Sequence, residues 1–545
     1  MADGSTDIRY TGAVYTPDEV AAGLVVHVSA LVSTASPNIL EPSVGDGAFL
    51  RFLRRQWGSG RFTLVDIDEK VIAHLRTAEV QNARDKQASL HAQDFLKFAY
   101  PLINNGSRPF DLVIGNPPFI RSRNFSSDLK VSVAALAKAS GYPLKDLKNS
   151  WAAFLTASAE LVTEIGVVAF ILPYELITVT YGQEALRRIS KQFRRVDIYV
   201  SKTKAFPHID QDAIVLVAQK GGTSEPGLFL NEVRSLVELS SQSARPLDFS
   251  DTADKPLELN AFLLEDETLE LLKRLRQSSP RLDAYAGSAP GIVSAANEFF
   301  IVPRSEVERL GCTDIALPIL KKGSFSSHRP EFTDADFQSV AEADPSYLLK
   351  IRGEKNELSE KMKAYLLEGE EAEYHLRYKC RKRIRWYEVP IIEREESFVF
   401  KRAHNFPRMC LNRANVYLTD TAYGLKIKEG ATARGLCFSF YNSMTLLFAE
   451  TDGRFYGGGV LELSPTEFRG LPIAYHEPTD AEYEAFVSAH VKAKGRPEPI
   501  LDFGDAWLGP KLDLSSEELL RLRQAWFAVR AHRMRHSGRR SPANA

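Results

Sequence analysis

The first 220 residues alternate between short apolar runs and amphipathic helical segments, and this alternation limits the folds that the chain can adopt. The apolar runs read NILEPS, RFTLVDID, FDLVIGN, GVVAFILP, VDIYVS and AIVLVAQ. Strands that alternate with helices favour a mostly parallel sheet, because parallel neighbours need long crossover connections that cover both faces. Ligands of such sheets bind beyond the carboxyl ends of the strands. Functional residues are therefore expected at those ends.

Three successive strand ends carry groups that suit a nucleoside cofactor. Gly45 and Gly47 follow the first strand and open a helix, where a tight turn lets a ligand approach the backbone. Asp66 ends the next strand, about 20 residues on, where an acid can bind ribose hydroxyls. Asp94 and Phe95 follow the third strand and could contact an adenine. A plain turn and two surface caps are the alternative interpretation.

The fourth strand ends on the tetrapeptide Asn116-Pro117-Pro118-Phe119. Proline cannot donate to a sheet ladder, so the strand must stop there. The Asn116 side-chain oxygen and the Pro117 carbonyl could accept both hydrogens of an exocyclic amine, and Phe119 could stack on a flat base. Such positioning and polarisation accelerate methyl transfer without a metal. The three preceding strand ends suit an amino-acid end, a ribose and an adenine, which favours S-adenosylmethionine over a dinucleotide.

In their order and their residues, these motifs resemble those of the gamma-class adenine-N6 DNA methyltransferases of restriction–modification systems. YTGAVYTPDEV and EPSVGDGAF resemble the cofactor motifs of that family, and NPPF resembles its catalytic motif. The resemblance implies that the catalytic residues are Asn116, Pro117, Pro118 and Phe119. It implies that the cofactor contacts are Tyr15, Thr16, Pro17, Glu41, Pro42, Gly45, Gly47, Asp66, Asp94, Phe95 and Asn116.

The resemblance also implies an architecture. Residues 1–221 would form an S-adenosylmethionine-dependent, Rossmann-like α/β catalytic domain around a mostly parallel seven-stranded sheet. Residues 222–545 would form a mixed α+β target-recognition domain with a basic helical tail at its C-terminus. KAFPHIDQDAIVLV resembles the family segment that supplies a second aromatic, here Phe206. Phe119 and Phe206 would then sandwich an adenine that has been flipped out of the duplex.

Basic residues interleaved with aromatics mark the expected DNA-contacting segments. The run RYKCRKRIRW in the second half suits phosphate contacts and stacking, although a solvated charged face is the alternative. Two further arginines follow the tetrapeptide. The predicted DNA-binding residues are Arg121, Arg123, Arg377, Lys379, Arg381, Lys382, Arg383 and Arg385.

Composition restricts the setting in which the protein works. The net charge is −1, so any basic surface for double-stranded DNA must be local. Four widely spaced cysteines favour neither a zinc site nor a disulfide framework, which fits the cytoplasm. No apolar run is long enough to span a membrane. We expect a monomer that needs no metal, with any cognate restriction endonuclease encoded separately.

Other functions share parts of this pattern. Protein-glutamine and RNA-base methyltransferases also carry N-P-P-Y/F, and a DNA-recognition subunit with a lapsed catalytic domain is a non-enzymatic alternative. A restriction–methylation fusion is a further one. The cofactor motif starts near residue 10, so we expect no nuclease domain upstream, and no nuclease carboxylate–lysine cluster is evident downstream.

Overall fold

The computed structural model describes residues 15–81, 88–203, 212–239, 244–247, 263–323, 329–456 and 458–535. The chain divides into two compact units, with the main division between residues 259 and 260. Of the described residues beyond that division, 456, 458 and 535 group with the first unit. Each unit is described by itself below.

The first unit is built on one twisted sheet with the order β3-β2-β1-β4-β5-β7-β6-β8-β9. Its strands are β1 (Asn38–Glu41), β2 (Arg61–Asp66), β3 (Ala88–Ala92), β4 (Phe110–Gly115), β5 (Val162–Pro173), β6 (Arg195–Ser201), β7 (Ala213–Gln219), β8 (Gly227–Val233) and β9 (Ala244–Leu247). Strands β1 to β5 pair in parallel, whereas β7 runs antiparallel to both β5 and β6. The predicted Rossmann-like, mostly parallel sheet is therefore confirmed.

Helices connect the strands of the first unit, as the alternating pattern predicts. They are α1 (Asp18–Ser29), α2 (Ala48–Gln56), α3 (Glu69–Gln81), α4 (Phe95–Asn104), α5 (Ser127–Ser140), α6 (Ser150–Leu161), α7 (Glu175–Thr178) and α8 (Thr180–Gln192). Helix α6 ends at Leu161 because β5 begins at the next residue, Val162. Leu24 of α1 and Leu53 of α2 pack with Ile114 of β4 in one apolar core, which holds these helices against the sheet.

The sheet is larger than the predicted seven strands. Strand β8 pairs in parallel with β6, and β9 pairs antiparallel with β8. Both strands come after residue 221, so the predicted boundary falls between β7 and β8, inside the sheet. Strand β8 stays with the first unit because its side chains Leu228 and Leu230 are buried.

The second unit contains three smaller sheets, with the orders β10-β19-β15-β17-β13, β11-β14-β12-β18 and β16-β21-β20. The strands are β10 (Ala286–Pro290), β11 (Ile301–Val302), β12 (Ala316–Leu320), β13 (Glu331–Phe332), β14 (Tyr347–Leu349), β15 (Ser397–Phe400), β16 (Arg402–Ala403), β17 (Met409–Asn412), β18 (Tyr417–Leu418), β19 (Ala422–Ile427), β20 (Arg454–Tyr456) and β21 (Val460–Glu462). Parallel and antiparallel pairs occur in the same sheet. The predicted mixed architecture of this half is confirmed.

Eleven helices of the described second unit pack around these sheets. They are α9 (Asp266–Ser278), α10 (Asn297–Phe300), α11 (Arg304–Leu310), α12 (Asp334–Ala343), α13 (Glu360–Glu371), α14 (Ala433–Phe440), α15 (Ser443–Asp452), α16 (Pro465–Gly470), α17 (Asp480–Ala493), α18 (Pro497–Leu512) and α19 (Ser516–Met534). The predicted C-terminal helix corresponds to α19. This helix is part of the core of the second unit, because Leu522, Trp526 and Val529 are fully buried.

Within the described ranges, no helix is both long enough and apolar enough to cross a membrane.

Candidate active site

The predicted site residues of the first unit meet at one edge of the sheet. Strands β2, β1 and β4 are neighbours that run in parallel, so their carboxyl ends lie side by side. Glu41 ends β1, Asp66 ends β2, and Asn116 follows β4 directly. The topology thus brings together residues that are far apart in the sequence.

The glycine loop after β1 is tied to the end of β2 through Asp66. The Gly45 N–H donates to Asp66 Oδ2 at 2.9 Å, and the Asp68 N–H donates to Asp66 Oδ1 at 3.0 Å. Gly45 and Gly47 have φ values of 52° and 78°, a region that L side chains rarely adopt. The predicted tight turn is present, and Asp66 holds it in place.

Glu41 is a buried carboxyl group at the centre of this edge. Its side chain is 1% exposed, and its Oε2 atom has no hydrogen-bond partner among the described residues. Burial raises the pKa of Glu41 well above its ordinary value, and the nearby carboxylates of Asp46 and Asp66 raise that pKa further. A buried acid of this kind suits a cationic or hydrogen-bond-donating ligand, since an unpaired polar atom is costly to bury.

The N-terminal segment contacts both the glycine loop and the tetrapeptide. Asn116 Nδ2 donates to Thr16 Oγ1 at 3.2 Å, across a separation of 100 residues. Thr16 is buried, whereas Tyr15 is exposed and its ring lies beside Gly45. Pro17 immediately precedes α1. The hydrogen bond to Thr16 fixes the orientation of the Asn116 amide. The side-chain oxygen, on the other branch of the amide, therefore points away from Thr16.

The tetrapeptide is braced from both sides. Ser43 Oγ donates to the Asn116 carbonyl oxygen at 3.1 Å, and buried Pro42 packs against Gly115. Ser150, which is fully buried at the start of α6, donates to the Pro118 carbonyl oxygen and accepts from the Ile120 N–H at 2.8 Å. The loop is therefore preorganised, with Pro117 buried and Phe119 half-buried. Ser150 carries no signal of this role in the sequence.

We expect Ser150→Ala to lower the turnover rate without weakening cofactor binding. The change removes one hydroxyl that holds both the Pro118 carbonyl and the Ile120 N–H, so the Asn116 loop loses its fixed geometry. Loss of a buried hydrogen bond corresponds to about 1–3 kcal/mol. Turnover under saturating conditions, with cofactor binding measured by calorimetry, tests this. The matched control is Ser158→Ala, at a serine on the same helix that is also fully buried. Equal losses in both variants would contradict the role of Ser150.

The third strand end differs from the expectation in its local contacts. Asp94 caps α4, because its Oδ1 atom accepts from the Leu96 N–H at 2.7 Å and its Oδ2 atom accepts from Ser132 Oγ at 3.2 Å. Phe95 is buried and packs on Phe154, with 4.9 Å between the ring centroids. Their contacts with an adenine stay predictions. Ile67, which follows Asp66 and is 74% exposed, is an apolar candidate that the sequence did not suggest.

The remaining predictions for this unit are two DNA-contacting arginines and a second aromatic that stacks on the target base. Arg121 and Arg123 are both exposed, directly after the tetrapeptide. Phe206, the predicted stacking partner of Phe119, lies outside the described residues.

The basic run of the second unit separates into two sets. Arg383 donates to the carbonyl oxygens of Val293 and Ser294 at 3.1 and 2.7 Å, and Arg377 donates to that of Ala295 at 3.1 Å. Arg385 donates to Glu388 at 3.2 Å. Arg377 and Arg383 therefore hold the run against the segment before α10, in which Ala295 has a φ of 69°. Arg385 is instead held by acidic side chains.

The other set is Lys379, Arg381 and Lys382, whose side chains are exposed. Within the part of the chain that the structure describes, none of the three makes an ion pair. Arg381 and Lys382 lie 5.9 and 5.8 Å from the ring centroid of Tyr378. These three cations remain available for phosphate contacts, whereas Arg377, Arg383 and Arg385 have structural partners.

The described residues contain no group of three or more His, Cys, Asp or Glu side chains that could hold a metal ion.

Two family models match the chain. Residues 52–206 match the Eco57I restriction-modification methylase, and residues 258–508 match the C-terminal domain of the Type II methyltransferase M.Eco57I. The predicted resemblance to restriction–modification methyltransferases is thus confirmed in both halves.

Curated relatives include two Type II methyltransferases. M.AccI from Acinetobacter calcoaceticus is 20% identical over 478 residues, which cover 83% of this chain and 83% of that protein. M.TthHB8I from Thermus thermophilus is 29% identical over 219 residues, which cover 39% of this chain and 46% of that protein.

Two solved structures are similar to the chain at low sequence identity. The type IIG restriction endonuclease BpuSI is 14% identical with a TM-score of 0.43, and the match covers 96% of this chain and 66% of that one. The DrdV–DNA complex is 13% identical with a TM-score of 0.48, and the match covers 88% of this chain and 57% of that one.

Proposed function

Since the chain is related in both halves to restriction–modification methyltransferases, we propose that it transfers a methyl group from S-adenosylmethionine to the N6 amine of adenine in double-stranded DNA. This assigns it to the gamma class of the adenine-N6 enzymes. The observation that carries the proposal is the convergence of Glu41, Thr16 and Asn116 at one sheet edge. The first unit is the catalytic part, and the second unit reads the target sequence.

Glu41 fits the cofactor that the proposal requires. S-adenosylmethionine brings a methyl group that its sulfonium has already activated, and its amino end is cationic. The buried Oε2 atom of Glu41 has no partner among the described residues and would accept from that ammonium group. Gly45 leaves the backbone accessible beside it, and Asp66 and exposed Ile67 stand at the next strand end for the ribose and the purine.

Asn116 and the prolines act on the other reactant. With its nitrogen bound to Thr16, the Asn116 amide presents its oxygen as an acceptor for a hydrogen of the adenine amine. The Pro117 carbonyl accepts the second hydrogen. Both bonds strengthen as the amine becomes tetrahedral and acquires positive charge, so they stabilise the transition state more than the ground state. Phe119 stacks on the base after it leaves the duplex.

We expect Glu41→Gln to weaken cofactor binding and to stabilise the cofactor-free protein at neutral pH. The pKa of Glu41 is raised above 4.5, so the fold binds a proton that the unfolded chain releases. Stability of the cofactor-free protein therefore falls as pH rises from about 4.5 towards the raised pKa. A neutral glutamine removes this loss and also removes the charge that attracts the ammonium group.

The measurements are melting temperatures from pH 5 to 8 and calorimetric titration with S-adenosylmethionine. Glu184→Gln is the control, because this half-exposed acid lies on α8. Unchanged cofactor affinity in Glu41→Gln would exclude Glu41 from the cofactor site.

Methylation-sensitive sequencing of DNA from cells that express the protein tests the function itself. We expect N6-methyladenine at one short recurring sequence, and its loss in cells that express Asn116→Ala. A complete absence of methylated adenine with well-folded protein, or methylation of another base, would overturn the proposal. The cells used lack a cognate restriction endonuclease, so a lost modification is not lethal.

A further inference from the structure

The basic run of the second unit ends in a fixed apolar tip. Ile384 is 97% exposed, so almost none of its side chain contacts the protein. Its neighbours Arg383 and Arg385 are both held, the first by backbone carbonyls and the second by acidic side chains. Single exposed apolar residues are common on protein surfaces. This one is unusual because it stands on an anchored turn.

The anchoring extends beneath the tip. Cys380 is fully buried, and Trp386 Nε1 donates to Glu370 Oε1 at 3.2 Å. Arg383 donates to three backbone carbonyl oxygens and to the Cys380 sulfur, so the turn is fixed before any partner binds. Insertion of a side chain from a rigid turn costs little conformational entropy.

The surroundings of Ile384 indicate the chemistry of the partner. Residues 376–385 read LRYKCRKRIR, with six basic residues and no acidic one. Lys379, Arg381 and Lys382 are exposed beside the tip, and Tyr378 is 67% exposed. An apolar side chain within a cationic rim fits a partner that is anionic outside and apolar inside. Duplex DNA has this arrangement, with phosphates outside a stack of bases.

We propose that Ile384 inserts as an apolar wedge into a base step of duplex DNA, while Lys379, Arg381 and Lys382 contact the flanking phosphates. This inference rests on the proposed function. It adds a contact with the base stack, which is distinct from contacts with the edges of the bases. Wedge insertion unstacks the step and bends the duplex. The residue thereby shapes the DNA rather than reading the base identity directly.

The test uses the full-length chain and a short duplex that contains the methylated sequence found by sequencing. We expect Ile384→Ala to weaken binding by roughly 10- to 100-fold. The slope of log Kd against log salt should stay unchanged, because no phosphate contact is lost. Lys382→Ala should instead reduce that slope by about 0.9. Dyes at the two duplex ends should report a bend that wild type produces and Ile384→Ala does not.

Two controls distinguish loss of the Ile384 contact from the loss of any exposed aliphatic side chain and from a loss of stability. Leu520→Ala removes another exposed aliphatic side chain of the second unit, 53% exposed on α19, and should change neither affinity nor bend. Melting temperatures should match wild type for both variants, since neither side chain is in the core.

The outcomes distinguish the wedge from the function on which it rests. If wild type binds and methylates the duplex but Ile384→Ala keeps both affinity and bend, the wedge is wrong and the turn contacts phosphates only. If wild-type protein neither binds nor methylates duplex DNA, the proposed function fails and the wedge fails with it.

Discussion

Replacing Asn116 with alanine is expected to reduce methyl transfer to DNA by at least about 100-fold while S-adenosylmethionine still binds. The side-chain nitrogen is held by Thr16 Oγ1 at 3.2 Å, so the oxygen has a fixed direction at the edge of the sheet. Alanine removes the acceptor for the target amine but leaves Glu41 and the glycine loop intact. Single-turnover transfer from labelled cofactor to DNA measures the loss, and calorimetry measures cofactor affinity.

Two companion variants sharpen that result. Thr16→Ala removes the hydrogen bond that orients the Asn116 amide but keeps the amide itself, so an intermediate loss of rate is expected. Asn105→Ala, at an exposed asparagine after α4 in the same unit, is the matched control and should behave as wild type. If Asn116→Ala transfers methyl groups within about threefold of the wild-type rate, Asn116 does not act on the amine.

The strand ends of the first unit could be predicted because their signals are local. A parallel sheet places successive carboxyl ends at one edge, so Glu41, Asp66 and Asn116 had to lie near one another once the strands were identified. The cap made by Asp94 also had a local signal, since an acid before an apolar run starts a helix. Ligand contact and helix capping use the same residue types, and the sequence alone does not separate them.

Residues that act across long sequence separations could not be predicted in this way. Ser150 braces the Pro118 carbonyl from 32 residues away, yet it reads as an ordinary helix start. Arg377 and Arg383 read as part of a solvated basic run, but they bind carbonyl oxygens 82 to 90 residues upstream. An arginine's role depends on the backbone that folds beside it, which charge patterning does not reveal.

The extension of the sheet has a similar cause. KGGTSEPG, before β8, is a plausible linker by composition, and polar, glycine-rich segments commonly connect domains. Strand β6 nevertheless offers a free edge on its far side, and β8 pairs with it over seven residues from Gly227 to Val233. Covering an edge strand satisfies its unpaired backbone groups. Pairing across β6 therefore outweighs the local linker signal.

Removal of Arg533 is expected to lower the free energy of unfolding of the second unit by about 3–5 kcal/mol. Arg533 and Glu450 are both 0% exposed and form a bidentate ion pair, with Nη2–Oε1 at 2.7 Å and Nε–Oε2 at 2.8 Å. Arg533 also donates to the His404 carbonyl oxygen at 2.7 Å. In Arg533→Met the buried Glu450 carboxylate loses both hydrogen bonds of its bidentate ion pair, which is the source of the cost.

The double variant Arg533→Met with Glu450→Leu separates charge from packing. Replacing a whole buried ion pair with apolar side chains is often nearly neutral, so the double variant is expected to recover much of the loss. Arg521→Met, on the same helix but in a partly exposed pair with Glu517, should cost less than about 1 kcal/mol. Urea unfolding is followed by tryptophan fluorescence, to which fully buried Trp526 contributes for this unit and fully buried Trp151 for the first unit. If the double variant is as unstable as Arg533→Met alone, the carbonyl contacts of Arg533, rather than its ion pair with Glu450, account for the loss.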